Sequence, residues 1–205
     1  CKKMLAYNVK LCPTMVVLDQ PMKYPDFWSP KNIIIESASK INYMMDYWKE
    51  HTEIIDLLKS SSAKINNFTK VIAKIYYDMG GTVVAGSDTP AFVYTYPGMA
   101  LHRELELFVE IGFTELEALQ AATVNAAKSI NLHEIGSIKE GKIADLVILN
   151  NNPLENIKHT QDIEFIVKGG KVYNQQEILD TAPSEEEVNK SMQDFIDKWE
   201  AVNVN

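Results

Sequence analysis

A long amphipathic segment ends at Gly80-Gly81 and passes directly into Thr82-Val83-Val84-Ala85-Gly86-Ser87-Asp88, an apolar, β-branched run that stops in a small turn carrying one carboxylate. Few architectures accommodate that order. Strands buried on both faces of a parallel sheet read as continuous apolar runs, and in barrel enzymes the catalytic residues stand at their C-terminal ends. Asp88 is therefore the residue to explain, although Gly-Ser-Asp is also ordinary turn chemistry and such an aspartate can simply cap a loop.

The segment upstream supports a strand-helix-strand order. Val9 to Leu18 reads as a strand interrupted at Cys12-Pro13-Thr14, since Pro13 cannot donate a ladder hydrogen bond. Gln20 to Trp28 has no period and reads as loop. Ser29-Pro30 resembles an N-cap followed by proline in the first helical position. Helical spacing then runs through Ile34, Ile41, Met44, Met45, Trp48, Ile54, Ile55 and Leu58, and Ser60-Ser61-Ser62 interrupts it. A second helix carries Ile65, Phe68, Ile72, Ile75, Tyr76 and Met79 on one stripe and stops at Gly80-Gly81. Residues 29–60 thus form an insertion on the side where barrel active sites open. It reads equally as a lid or substrate-binding element and as a structural insertion or oligomer contact.

Beyond Asp88, the stretch from Thr89 to Met99 reads as a loop containing Tyr94 and Tyr96, and a helix begins near Leu101. His102 falls at the start of that helix, where it is either a substrate contact or a structural hydrogen-bond donor. Glu104 and Glu106 read as solvated or paired with Arg103. Thr114 with Glu117 forms a capping box, and Thr123 reads as the cap of a short helix reaching Ile130. From Ile135 the period shortens to strands. Lys142 to Leu149 is one, and Phe165 to Val167 and Lys171 to Tyr173 flank Gly169-Gly170 as a hairpin. Asp145 is expected to bond backbone rather than substrate. Ser184 to Trp199 reads as an amphipathic helix capped by Ser184 and Glu187, with Val188, Met192, Phe195 and Trp199 along one side.

Composition narrows the partners. Charged residues make up 23% and the formal net charge is −8, with no Lys/Arg cluster to track phosphates, so nucleic acid is not an expected partner. Apolar runs fall well short of the ~20 residues that span a bilayer, so no membrane partner is expected either. Cys1 and Cys12 allow at most one bridge.

Four ordered motifs carry a family resemblance: Leu101-His102-Arg103-Glu104-Leu105-Glu106-Leu107-Phe108-Val109, Gly112 through Thr123, Asn125-Ala126-Ala127, and Gly141 through Leu149. Together they resemble the C-terminal part of metal-dependent amidohydrolases, particularly the imidazolonepropionase-like and prolidase-like branch, over roughly Lys10 to Tyr173. The resemblance implies an α/β fold: the C-terminal part of a (β/α)8 TIM-type barrel, a small β-sandwich subdomain and a C-terminal helix. On that reading residues 1–134 hold the family's strand 7, the inserted segment 29–60, helix 7, strand 8 and helix 8. Residues 135–180 form the sandwich and 181–205 the final helix. It also implies hydrolysis of a C–N bond in a cyclic amide, imidazolone or dipeptide-like small-molecule substrate. The cofactor would be one or two divalent metal ions, zinc foremost, which activate a water.

Asp88 matches the family's strand-8 aspartate and would act as catalytic base and metal ligand. His102, Tyr94 and Tyr96 would line the substrate site. The family's His-x-His pair has no counterpart among His51, His102, His133 and His159. A whole barrel needs about 250 residues, so the chain reads as the C-terminal portion of a longer polypeptide, expected to be inactive alone. Two further readings stand beside this one. The chain could be a binding module that keeps the scaffold without catalysis, or a barrel fragment that assembles with a separate N-terminal half or as a homo-oligomer.

Overall fold

The computed structural model describes residues 1–23, 50, 52–89 and 95–203. Most of the inserted segment predicted at 29–60, and Tyr94, lie outside them. Helix α1 spans Lys2–Ala6 and leads into an extended stretch through Leu11. There a single parallel bridge pairs Leu11 with Val83: Leu11 N–H donates to the Thr82 carbonyl at 3.0 Å and Val84 N–H to the Leu11 carbonyl at 2.9 Å. The two predicted barrel strands are thus adjacent and parallel, but their pairing is one bridge long.

The first of them also ends early. Val16–Lys23 is a helix, α2, where a strand to Leu18 and a loop from Gln20 are expected from the sequence. Thr14, at φ +45°, turns the chain out of the extended direction. The leading N–H groups of α2 are then met from a distance, because the Glu104 carboxylate accepts Met15 N–H at 3.1 Å and Val16 N–H at 2.8 Å. Short apolar runs such as Met15-Val16-Val17-Leu18 suit strand or helix alike, and here this tertiary cap decides.

Helix α3, Thr52–Asp78, runs unbroken through Ser60-Ser61-Ser62, where a break is expected. Serine costs a helix only about half a kilocalorie relative to alanine, and Ser62 is buried. The buried face of α3 carries Ser62, Asn66, Ala73 and Tyr76, while Ile65, Phe68, Val71, Ile75 and Met79 point outward, Phe68 at 67% exposure. The predicted apolar stripe is therefore mostly the open side of the helix among the described residues. Small and polar side chains on the inner face let α2 and α3 lie close, and Lys70 reaches Asp19 at 3.6 Å. Tyr76 closes the far end, its hydroxyl donating to the Val9 carbonyl at 2.5 Å. Gly81 packs so tightly on that ring that an added Cβ would lie 2.4 Å from it.

After Gly98, at φ +80°, comes α4, Met99–Glu110. Its inner face, with Ala100, Leu107 and Phe108, meets Met15, Val16, Tyr76, Val83 and Phe113 in the main core. Arg103 gathers carboxylates on the flank, bonding Asp19 at 2.8 Å, Glu106 at 2.9 Å and Glu110 at 2.6 Å. Glu106 is thus paired as expected, but Glu104 is neither solvated nor paired with Arg103. It is fully buried and turned inward.

Helix α5, Glu115–Ala122, starts at a complete Thr114/Glu117 capping box. Helix α6, Val124–Ser129, follows with Thr123 at its N-cap position. The Thr123 hydroxyl donates back to the Leu119 carbonyl instead of capping α6.

The C-terminal half holds one antiparallel sheet, β1 (Leu146–Leu149), β2 (Ile163–Lys168) and β3 (Lys171–Asn174), in the order β1-β2-β3. Gly169 and Gly170, at φ +57° and +81°, make the two-residue turn between β2 and β3, where positive φ is required at both positions. No second sheet is present among the described residues. Val147 on one face and Phe165 and Val172 on the other remain substantially exposed. Asp145 lies just before β1, accepting Gly169 N–H at 2.8 Å and pairing with Lys168. A 3-10 turn, Ile157–Gln161, docks the sheet on α4. Helix α7, Gln175–Asp180, is capped by Asn174 and Glu177, and α8, Glu185–Asn203, begins after the Ser184/Glu187 pair. No helix among the described residues is long and apolar enough to cross a membrane.

Candidate active site

The Thr82–Asp88 run leaves the core through Val83 and Val84 and reaches the surface at Asp88, which is exposed. Its backbone is held at φ +51°, a left-handed conformation uncommon for residues other than glycine, asparagine and aspartate. Ser87 and Thr89 join hydroxyls across it at 3.1 Å. The neighbouring strand end supplies Cys12. A Cβ built on Gly86 would lie 2.4 Å from the Cys12 sulfur, so the two strand tips touch and Gly86 is required by that approach. Burial pushes the Cys12 thiol up, and the negative charges of Glu104 and Asp88 push it further. Cys12 therefore lies within electrostatic reach of both Asp88 and Glu104.

Glu104 is the polar group that sequence reading misplaces. Burial pushes its carboxyl up to about 8, opposed by the two backbone N–H groups it accepts from Val16 and Met15. A sequence signal was available. Ala100, Glu104, Leu107 and Phe108 occupy positions i, i+4, i+7 and i+8, so Glu104 sits in the middle of an apolar face.

His102 is mostly buried beside the 3-10 turn, with Nδ1 3.0 Å from Thr160 Oγ1. The Thr160 hydroxyl donates its proton to the Ile157 carbonyl at 2.8 Å, so it accepts from His102 and the imidazole proton resides on Nδ1. Nε2 then carries the ring's lone pair. Desolvation by burial lowers the His102 pKa. Tyr96 is buried, just before α4. The structure thus brings Cys12 against Gly86, two residues before Asp88, and joins His102 to the 3-10 turn.

Among the described residues no three His, Cys, Asp or Glu side chains come together as a metal ligand set. Glu104 is committed to backbone N–H groups and His102 to Thr160. These residues do not by themselves make a site for a divalent cation.

Residues 14–174 match the Amidohydrolase family, and the chain belongs to it. Ochratoxinase of Aspergillus niger is 36% identical over 126 residues, which cover 57% of this chain and 25% of that protein. Imidazolonepropionase of a Geobacillus species is 46% identical over 68 residues, 31% of this chain and 16% of that protein. The crystal structure of A. niger ochratoxinase superposes with a TM-score of 0.51 at 25% identity, over 81% of this chain and 32% of that one. A prolidase complexed with N-methylphosphonate-L-proline gives 0.61 at 24% identity, over 84% and 36%, a likeness of fold. The chain spans about a quarter of the length of the ochratoxinase it matches.

Proposed function

We propose that this chain is the C-terminal part of a (β/α)8-barrel amidohydrolase that cleaves a C–N bond, with Asp88 as the catalytic base. The observation that carries the reading is the placement of Asp88. It is the exposed carboxylate at the end of an otherwise core-forming strand, beside the parallel strand carrying Cys12, within the stretch that matches the family. A carboxylate there can take a proton from the attacking water and return it to the leaving nitrogen. That two-way use is what general acid-base catalysis of amide hydrolysis requires. The relatives named above support a small-molecule amide substrate, either an imidazolone ring or a dipeptide-like bond. His102, through Nε2, and Tyr94 and Tyr96 are the proposed substrate contacts. Asp88 would also be one ligand of a divalent metal, zinc foremost, whose remaining ligands would come from polypeptide outside these 205 residues.

The test uses the full-length polypeptide, assayed with the dipeptide Met-Pro and with an imidazolone propionate. Asp88→Asn should lower kcat by about 10²–10⁴-fold, the usual loss of a general base, with an unchanged circular dichroism spectrum. Wild-type kcat in that variant would overturn the assignment. Binding of these compounds by the wild type without turnover would favour the binding-module reading.

A further inference from the structure

We propose that Glu104 is a positioning residue, which fixes the turn after the Leu11 strand and through it holds the Asp88 strand tip in place. The inference rests on the catalytic reading of Asp88 but is argued from different contacts. Both carboxylate oxygens of Glu104 are used, one on Met15 N–H and one on Val16 N–H, across 89 and 88 residues of chain. The side chain is fully buried, so water cannot substitute for it. Between Leu11, fixed by its bridge to Val83, and Met15, fixed by Glu104, the chain has only Cys12, Pro13 and the left-handed Thr14. Cys12 is thereby clamped from both sides, with its sulfur against Gly86, two residues before Asp88. A rigid path therefore runs from α4 through the 12–16 turn to the carboxylate.

A side chain 88 residues away is an unusual choice for such a cap. An apolar residue would fill the same space in this core face, and local serine or aspartate caps are the common means of starting a helix. Glu104 instead makes the geometry of a strand end depend on a residue of the following barrel helix. Catalytic groups tolerate little misplacement, and an error of about 1 Å can cost about a hundredfold in rate.

The experiment compares wild type, Glu104→Gln and Asp88→Asn in the full-length polypeptide. The readouts are amide hydrogen exchange of the peptides covering residues 9–20 and 82–89, iodoacetamide labelling of Cys12, and kcat and KM on Met-Pro. Glutamine keeps the shape but presents an NH2 group to one of the two N–H donors, so with the readouts taken at about pH 9, where the wild-type carboxylate is ionised, one hydrogen bond is lost. The expected result is exchange faster by about tenfold or more in the 12–16 turn, as for a buried hydrogen bond left unmade. Exchange should also rise at 86–89, Cys12 labelling should quicken, and kcat should fall while KM stays within about twofold. Unchanged exchange in both segments overturns the proposal. So does a loosened turn with wild-type kcat, since Glu104 would then be only a helix cap. If Asp88→Asn retains wild-type kcat, the catalytic reading fails whatever Glu104→Gln does. If Asp88→Asn is inactive while Glu104→Gln is normal, only the Glu104 proposal fails. Should Glu104→Gln not be recovered folded, Val16→Pro removes one donor at the first helical position, where proline is tolerated, and the same readouts decide.

Discussion

His102 and Glu104 stand two residues apart on α4 and respond to pH in opposite senses. Burial lowers the His102 pKa, so below its unfolded value of about 6.5 the unfolded chain binds a proton that the folded chain refuses. Its contribution to stability is present above that pH and is lost as pH falls. Burial raises Glu104 to about 8 from 4.5, so between those values the folded chain holds the extra proton. Its contribution is present at the acid end and is lost as pH rises through about 8. Urea denaturation across pH 4.5–8.5 should therefore show an acid limb flattened in His102→Asn, whose amide can still donate to Thr160. It should also show an alkaline limb flattened in Glu104→Gln. Identical profiles in all three proteins would contradict both assignments.

At the level of elements, starts are written locally where a cap lies three residues away. Thr114 accepts Glu117 N–H at 3.3 Å while the Glu117 carboxylate accepts Thr114 N–H at 2.8 Å, and Ser184 and Glu187 repeat the arrangement at α8. Thr114→Ala should cost about 1 kcal/mol of stability, the usual loss of a side-chain N-cap, read as a lower urea midpoint with an unchanged slope. No comparable loss is expected from Thr123→Ala at α6, because that hydroxyl bonds a carbonyl of the preceding helix rather than an orphan N–H. Helix α2 shows the limit of local reading. Its cap is 88 residues away, and nothing between Val9 and Lys23 announces it.

Across the whole molecule, apolar surface remains open in several places. Ile65, Phe68, Val71, Ile75 and Met79 run along the outer side of α3, and Phe195, Trp199 and Val202 lie exposed on α8. Contiguous apolar patches of this kind mark interaction surfaces. By itself the 205-residue chain should elute above its 23.2 kDa monomer mass in light-scattering chromatography and should retain no stoichiometric zinc after dialysis. The double substitution Phe68→Glu/Ile75→Glu should shift it toward monomer without loss of helix signal. A zinc-loaded monomer would refute this expectation and the proposal that the metal ligands lie elsewhere.

What the sequence by itself determined is whatever depends on neighbours in the chain. The apolar run that ends at Asp88, the Gly169-Gly170 hairpin, the Thr114 and Ser184 caps and the motifs of the amidohydrolase family are all readable within a few residues. Tertiary structure alone decided the rest. Helix α2 exists because Glu104 reaches its N-terminus, α3 continues through Ser60-Ser61-Ser62 with Ser62 on its buried face, and the three-stranded sheet is held on α4 by the turn Ile157–Gln161. The physical reason is common to all three. A backbone N–H or an apolar face must be satisfied by something, and the local sequence specifies the need without specifying which distant group will meet it.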